Sequence, residues 1–385
     1  MAVYTSINDG RDYFFTHKYD GNWQSGDGAG YTRNITDSLA PQPDMVWVKA
    51  RDMSGRSHYL FDSNRGFAAN KELVPNSSVS EGDTGNHNTG ANGFIGAAQS
   101  NGFTVTTGSG DADYVNAINY KYVGWTWKVN GGTTVSESND NISSVRQTNA
   151  TSGMSIISYD GATNANSNSN NNGGNYWKIN HGLGVVPNCV LIKKRSGAAD
   201  WYLYADVLGA ITTGKHLVLS TDAATATETQ LFGSSGSFTT SQIQLGGWDV
   251  ANRNGSTYVA YVFAEKQGFS KFGSYIGNGN VNGTFVYTGF KPSFVMVKSL
   301  EQTGHWTMTD DKRQDHTPGN SINKALYANT NGTEGSVDPR FEYYSNGFKC
   351  RRSHQAQNND GFSYFFMAFA ENPFVSSAGV PATAK

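Results

Sequence analysis

The sequence predicts an all-β protein of three tandem β-sandwich repeats of about 110 residues each, and three observations carry that prediction. Composition is the first: 45 Gly, 8 Trp, 20 Tyr and 21 Phe stand beside a charged fraction of only 16%, which favours short strands and turns over helices. The second is periodicity, since no stretch sustains apolar residues at the 3.6-residue helical spacing. The third is internal repetition, the first thing to seek in a chain of this length.

The landmarks of one repeat recur in the same order three times. A Tyr-x-Gly turn comes first: Tyr19 with Gly21, Tyr159 with Gly161, Tyr275 with Gly277. Pro43, Pro187 and Pro292 then open P-x-x-V-x-[VI]-K strands that end at Lys49, Lys193 and Lys298. An aromatic strand follows, "HYLFDSNRG" from His58, "WYLYADVLG" from Trp201 and "HWTMTDDKR" from His305. "SNGF" at Ser100 and Ser345, with the looser "SGSF" at Ser235, marks a further strand. Last come Asn116, Asn252 and Asn358, each six residues before a closing strand: "YVGWTWK" from Tyr122, "YVAYVFAE" from Tyr258 and "YFFMAFAE" from Tyr364.

Alternation assigns the faces. Val123, Trp125 and Trp127 share one face of the first closing strand, Val259, Tyr261 and Phe263 that of the second, and Phe365, Met367 and Phe369 that of the third, so Trp125, Tyr261 and Met367 are expected as core anchors of three cores. The opposite face is mostly small (Gly124, Thr126, Ala260, Ala368), which admits a second layer. Met45 and Trp47 oppose Val46 and Val48, and a strand apolar on both faces belongs in the middle of a sheet. The division that follows is an N-terminal segment 1–12, repeats at 13–130, 151–266 and 267–376, a polar linker at 131–150 and a C-terminal tail at 377–385.

The charge balance, 29 basic against 31 acidic residues, lacks the basic excess of a nucleic-acid binder. The longest apolar run, Tyr364 to Ala370, is far short of a membrane span, so neither nucleic acid nor membrane insertion is expected. The N-terminal stretch has no basic region followed by an apolar one, so synthesis in a cytosol is expected. Cys189 and Cys350 make no C-x-x-C pair and read as buried apolar side chains.

Candidate chemistry is sparse, and no enzyme and no cofactor are expected. There is no G-x-S-x-G, H-E-x-x-H or P-loop. His58 with Asp62 and His305 with Asp310 resemble fragments of a proton relay, but Trp201 takes the His position in the second repeat, so ring packing is the reading taken. Glu265 and Glu371 are equivalent positions of two repeats and are expected too far apart for a glycosidase pair. Asp20, Asn22 and Asp27 are oxygen ligands suited to calcium, yet they lack an EF-hand's spacing and read as turn residues; no metal site is assigned. Asn116, Asn252 and Asn358 are expected to close turns on their own backbone, and the clusters at Lys193–Arg195 and Lys349–His354 to be solvated loops. A longer polar insertion, "SSVSEGDTGNHNTGANG", is peculiar to the first repeat and suggests a contact of its own.

The stretches "GMSIISYDG", "HGLGVVPNCVLIKKR", "TYVAYVFAEKQGFSKFGSYIGNG" and "GTFVYTGFKPSFVMVK" closely resemble a family of functionally uncharacterised β-repeat proteins encoded largely by marine tailed bacteriophages. The likeness extends from "VYTSINDGRDYF" to "AENPFVSSAGVPATAK". It implies a virion structural protein on the particle exterior: a tail-fibre-like appendage contributing to host attachment, homo-oligomeric, in contact with other virion proteins and with a host-surface glycan or protein. Two alternatives stand beside it. A capsid head-decoration or head-fibre protein would dock through an apolar terminus, for which Tyr4 to Phe15 is the candidate; a carbohydrate-binding or carbohydrate-active secreted protein would show an export signal or converging carboxylates. The first repeat departs from the pattern at Lys128-Val129, where the others have Ala-Glu.

Overall fold

The computed structural model describes residues 5–83, 85–166, 176–233, 236–314, 320–376, 379 and 381. Tyr4, Ser235 and most of the tail 377–385 lie outside them. Among the described residues the elements are nearly all strands. β1 (Phe14–Asp20), β2 (Thr32–Thr36), β3 (Met45–Ala50), β4 (Tyr59–Asp62), a four-residue helix α1 (Thr89–Asn92), β5 (Phe94–Gln99), β6 (Gly102–Thr106) and β7 (Lys121–Trp127) come first. Next are β8 (Val135–Asn139), β9 (Ile142–Asn149), β10 (Met154–Asp160), β11 (Trp177–Asn180), β12 (Cys189–Lys194), β13 (Trp201–Ala205), β14 (Lys215–Val218), β15 (Ala226–Thr227), β16 (Gln242–Leu245) and β17 (Thr257–Phe263). Last are β18 (Ser270–Ile276), β19 (Phe285–Tyr287), β20 (Phe290–Ser299), β21 (Thr307–Asp310), β22 (Ser321–Tyr327), β23 (Gly335–Tyr344), β24 (Gly347–Cys350) and β25 (Ser363–Pro373).

The same antiparallel order occurs in three places: β1-β7-β3-β4, β10-β17-β12-β13 and β18-β25-β20-β21. In each, the strand after the Pro lies between the closing strand and the aromatic strand, so both its faces are covered, as its apolar pattern requires. A second sheet backs each of the three: β2-β6-β5, β11-β16, and β22-β23-β24-β19, the last joined to its partner through β21 and β22. Val46 and Val48 pack there with Ile35, Phe103 and Val105, and Ile157 and Val190 with Trp177 and Ile243. Gly124 leaves room for this layer, since a Cβ on it would lie 2.8 Å from the Phe103 ring.

The other faces of the three sheets converge on one core. Trp47, Trp125 and Trp127 meet Ile156, Tyr261 and Phe263 and also Phe294, Met367 and Phe369; the Trp125 and Phe294 rings are 5.9 Å apart and Phe263 and Phe369 6.2 Å apart. Trp125, Tyr261 and Met367 therefore anchor a core common to three segments instead of one core each. Alternation says which residues share a face and not what covers it.

One other expectation is corrected. Residues 131–150, read as a linker, hold the β8–β9 hairpin, whose two-residue turn places Asp140 and Asn141 at φ 47° and 64°, the left-handed geometry of tight hairpins. β9 then pairs with β10. The hairpin ends its sheet and buries Ile142 and Gln147, so little apolar sequence is needed to hold it. The Tyr4–Phe15 stretch, the candidate anchor of the head-decoration alternative, buries Ile7, Phe14 and Phe15 within the molecule. Ile7 and Phe14 are buried in the common core, Phe14 stacks on Phe369 at 5.4 Å, and the Thr5 hydroxyl donates to the Gln267 carbonyl at 2.6 Å.

Candidate functional site

The Tyr, Gly and Asn landmarks build one corner three times. Tyr19 stacks on Tyr122, Tyr159 on Tyr258 and Tyr275 on Tyr364, with centroids 5.3, 5.1 and 5.2 Å apart and ring planes within 20° of parallel. The first Tyr of each pair donates its hydroxyl to the carbonyl just before the landmark Asn: Val115, Ala251 and Gln357. The second donates to Asp113, Asp249 and Gln355. Buried Asn252 accepts from the Ala162 N–H at 2.8 Å, and Asn358 accepts from the Asn278 N–H and donates to the Asn280 carbonyl; Asn116 does the same for Asn22. The expected bond to its own turn is replaced by a tie across 78 to 94 residues to the turn after the opening strand. Gly21, Gly161 and Gly277 permit it, because a Cβ at each would lie 1.9, 1.8 and 2.3 Å from the carbonyl that follows the Asn.

Pro43, Pro187 and Pro292 are buried before or at the start of their strands, and Pro292 sits at a bulge in the β20–β25 ladder, where its missing N–H costs no ladder bond. Lys49, Lys193 and Lys298 are buried. Each amine donates to the carbonyl of the next residue, Ala50, Lys194 and Ser299. Lys193 also reaches Ser78 in the first segment, and Lys298 reaches Asp222 in the second. Burial pushes the Lys49 and Lys193 amines down to about 7 and that of Lys298 to about 8.

These strand ends dock each segment on another. The Glu81 N–H donates to the Arg195 carbonyl, the Thr225 N–H to Leu300, and the Glu334 N–H to Arg51, so the last segment closes on the first. Two carboxylates reinforce the scheme. Glu81 pairs with Arg65 of its own segment and Arg195 of the next; Glu334 pairs with Arg313 of its own and Arg51 of the first. Arg65 also holds Asp62, and Arg313 holds Asp310, all four side chains fully buried. Tyr261 donates to Asp62 and Trp125 to Asp310; Met367, the third of that set, has only apolar contact to offer. The Lys193–Arg195 cluster is thus an interface and not a solvated loop, because its strand runs into the neighbouring segment. In the other cluster Arg351 pairs with Glu342.

The imagined catalytic fragments are bound elsewhere. His58 Nδ1 accepts from the Trp47 indole at 2.9 Å, which leaves Nε2–H to donate to the Tyr327 carbonyl at 3.0 Å; burial holds the ring far below its usual pKa. Asp62 belongs to Arg65. His305 faces Asn329. Glu265 accepts from the Phe272 N–H, and Glu371 pairs with Lys291. Asp27 closes its own turn on Gln24 and Asn22 ties to Asn116. Among the described residues, no three His, Cys, Asp or Glu side chains are grouped to hold a metal ion, and no helix is long and apolar enough to cross a membrane. Cys189 and Cys350 are buried free thiols.

The feature that sequence reasoning located only as an insertion is a cleft of about 620 Å³. The insertion's 86–87 backbone is held by two tyrosines of the sandwich: Tyr59 donates to the His87 carbonyl and Tyr114 to that of Asn86, with their rings stacked at 4.4 Å. Asn88 caps α1, and Thr89 donates to buried Glu72 at 2.6 Å. Burial raises Glu72 to about 7. Asn86, His87, Asn92, Asp111 and Ser57 line the cleft, and Asn331 of the last segment completes it. Arg56, at its wall, is bound to Asp113 and lies over the Tyr114 ring. The exposed aromatic side chains are elsewhere: among the described residues Phe285 and Tyr287, both on β19, are the ones that face solvent. A longer loop rich in Asn and Gly was the only signal in the sequence, and it does not say which groups converge.

Residues 9–373 match a family described as a domain of unknown function (DUF7483), and the chain belongs to that family. No curated protein matches the sequence.

Proposed function

We propose that this member of the DUF7483 family is a non-enzymatic structural protein of a bacteriophage virion, on the particle exterior, made of three tandem β-sandwich units that close into a ring and acting as a tail-fibre-like appendage in host attachment. The repeat reading is supported by the thrice-used strand order and by the tyrosine–asparagine–glycine corner that recurs with the same partners. The observation that carries the role is how the polar side chains are spent. Buried acids, bases and arginines that resemble catalytic fragments are tied into the frame, while the loops outside it are polar and rich in Asn and Gly. That division of labour, a stiff core carrying polar loops, suits recognition. The sequence resemblance to phage repeat proteins supplies the virion setting. A head-decorating role is less well supported, since Ile7 and Phe14, apolar residues of its candidate anchor, pack inside the molecule.

The test is electron microscopy of intact particles with a labelled antibody to the chain. Label on the tail or its fibres supports attachment. Label over the head overturns that part of the reading, and particles without label overturn the virion setting.

A further inference from the structure

We propose that the cleft between the insertion and the last segment is a binding site for a neutral carbohydrate of one to three rings. The inference deepens the attachment reading and rests on it only for the source of the sugar, a polysaccharide of the host surface. The volume of about 620 Å³ is that of a small-ligand site, but the walls are unlike those of an apolar pocket. Amides and hydroxyls dominate: Asn86, Asn92, Asn331 and Ser57 each present donors or acceptors, and no aliphatic side chain is among the lining residues. Apolar ligands have little but the Tyr114 ring to displace water against. Among the described lining residues anions find no free cation, because the Arg56 guanidinium already holds Asp113 through two nitrogens and Asp111 stands beside it with a carboxyl of its own. A polyhydroxylated ring, whose every hydroxyl both gives and takes a hydrogen bond, matches that mixture.

Two further observations bear on the site. His87 lines the cleft, and burial keeps its imidazole below its usual pKa, so the ring is presented in its neutral form. Asn331, joined to the first segment by the Gly55 N–H at 3.0 Å, belongs to the far end of the chain, so the cleft exists in full only when the ring is closed. Insertion and closure together make the site.

Saturation-transfer NMR of the full chain with glucose, galactose, N-acetylglucosamine and triacetylchitotriose tests the ligand class, with inorganic phosphate as the anionic control. At least one saccharide is expected to bind, and Asn86→Ala with Asn92→Ala is expected to weaken it at least tenfold at an unchanged melting temperature. Tyr287→Ala, which removes an exposed aromatic platform, is expected to leave binding intact. Failure of every saccharide, binding of phosphate alone, or wild-type affinity in the double variant overturns the site. The source is tested separately: the bound sugar at saturation should slow adsorption of particles to host cells at least several-fold. Binding without slowed adsorption upholds the sugar site and overturns its role in attachment, and neither result depends on where the antibody label falls.

Discussion

Tyr261 donates its phenolic hydrogen to Oδ2 of Asp62, 199 residues earlier in the chain, at 2.6 Å. The same Asp62 oxygen also accepts from Arg65 at 2.7 Å, so one buried carboxylate joins the closing strand of the second segment to the aromatic strand of the first. Trp125 and Asp310 repeat the relationship between the first segment and the third.

Removing only the hydroxyl tests that joint. Tyr261→Phe keeps the ring in the core but takes a charge-assisted hydrogen bond from Asp62, and a loss of ~2 kcal/mol in urea unfolding is expected. Met367→Leu, at the equivalent position without a polar partner, should change stability by about 1 kcal/mol or less.

The corner turns on close approach. Gly161→Ala would put a methyl 1.8 Å from the Arg253 carbonyl and should lower stability by ~3 kcal/mol or more, as overpacking against backbone does. Gly26→Ala meets nothing within 4 Å and should stay within ~0.5 kcal/mol of the parent. Thermal unfolding of the two variants side by side separates a steric cause from a general effect of adding a methyl.

The buried lysines make stability depend on pH. Their folded pKa values, about 7, 7 and 8, lie below the ordinary 10.5, so between pH 7 and 10.5 the unfolded chain binds more protons. Stability from these groups therefore rises with pH across that window, while below about 7 both states carry the charge and the burial cost is felt in full. Unfolding free energies at pH 7, 8 and 9 should increase for the parent, and Lys193→Met should rise less steeply. The buried tyrosines, whose pKa values burial raises well above 10, do not interfere in that range. Equal slopes for parent and variant would remove Lys193 as a cause.

Ring closure has its own test. Glu334 is a carboxylate shared by Arg51 and Arg313, with distances of 2.7 and 2.8 Å. Glu334→Gln leaves Arg51 without its anion, and a loss of ~3 kcal/mol is expected for breaking a largely buried pair. Hydrogen exchange should speed up first at Arg51–Gly55 and at Tyr327–Glu334, where the ends of the chain meet. Uniform acceleration through the β10–β17 sheet as well would argue against a local closure joint.

Much of the local structure was legible in the sequence because it depends on residues close together in the chain. The Pro-led strands and the alternation around Trp125 are periodic, and the turns at Gly21, Gly161 and Gly277 carry their own chemistry. The β8–β9 hairpin was missed because an edge hairpin covered on one side needs few apolar residues, although Asp140-Asn141 is itself a turn signal. The candidate site was legible only as an insertion: Asn86 and His87 are neighbours in sequence, but Asp111 and Asn331 reach the same cleft from elsewhere in the chain.

By itself the sequence determined an all-β chain, the position of its Pro-led and closing strands, and the face of those strands on which each aromatic lies. Only the tertiary structure decided that Trp125, Tyr261 and Met367 meet in one core, that Lys193 is buried under Ser78, and that Asn331 completes a cleft begun by the insertion. The reason is physical. Alternation and turn chemistry act between near neighbours, whereas the covering of an apolar face and the pairing of a buried charge are settled by whichever surface arrives from far along the chain.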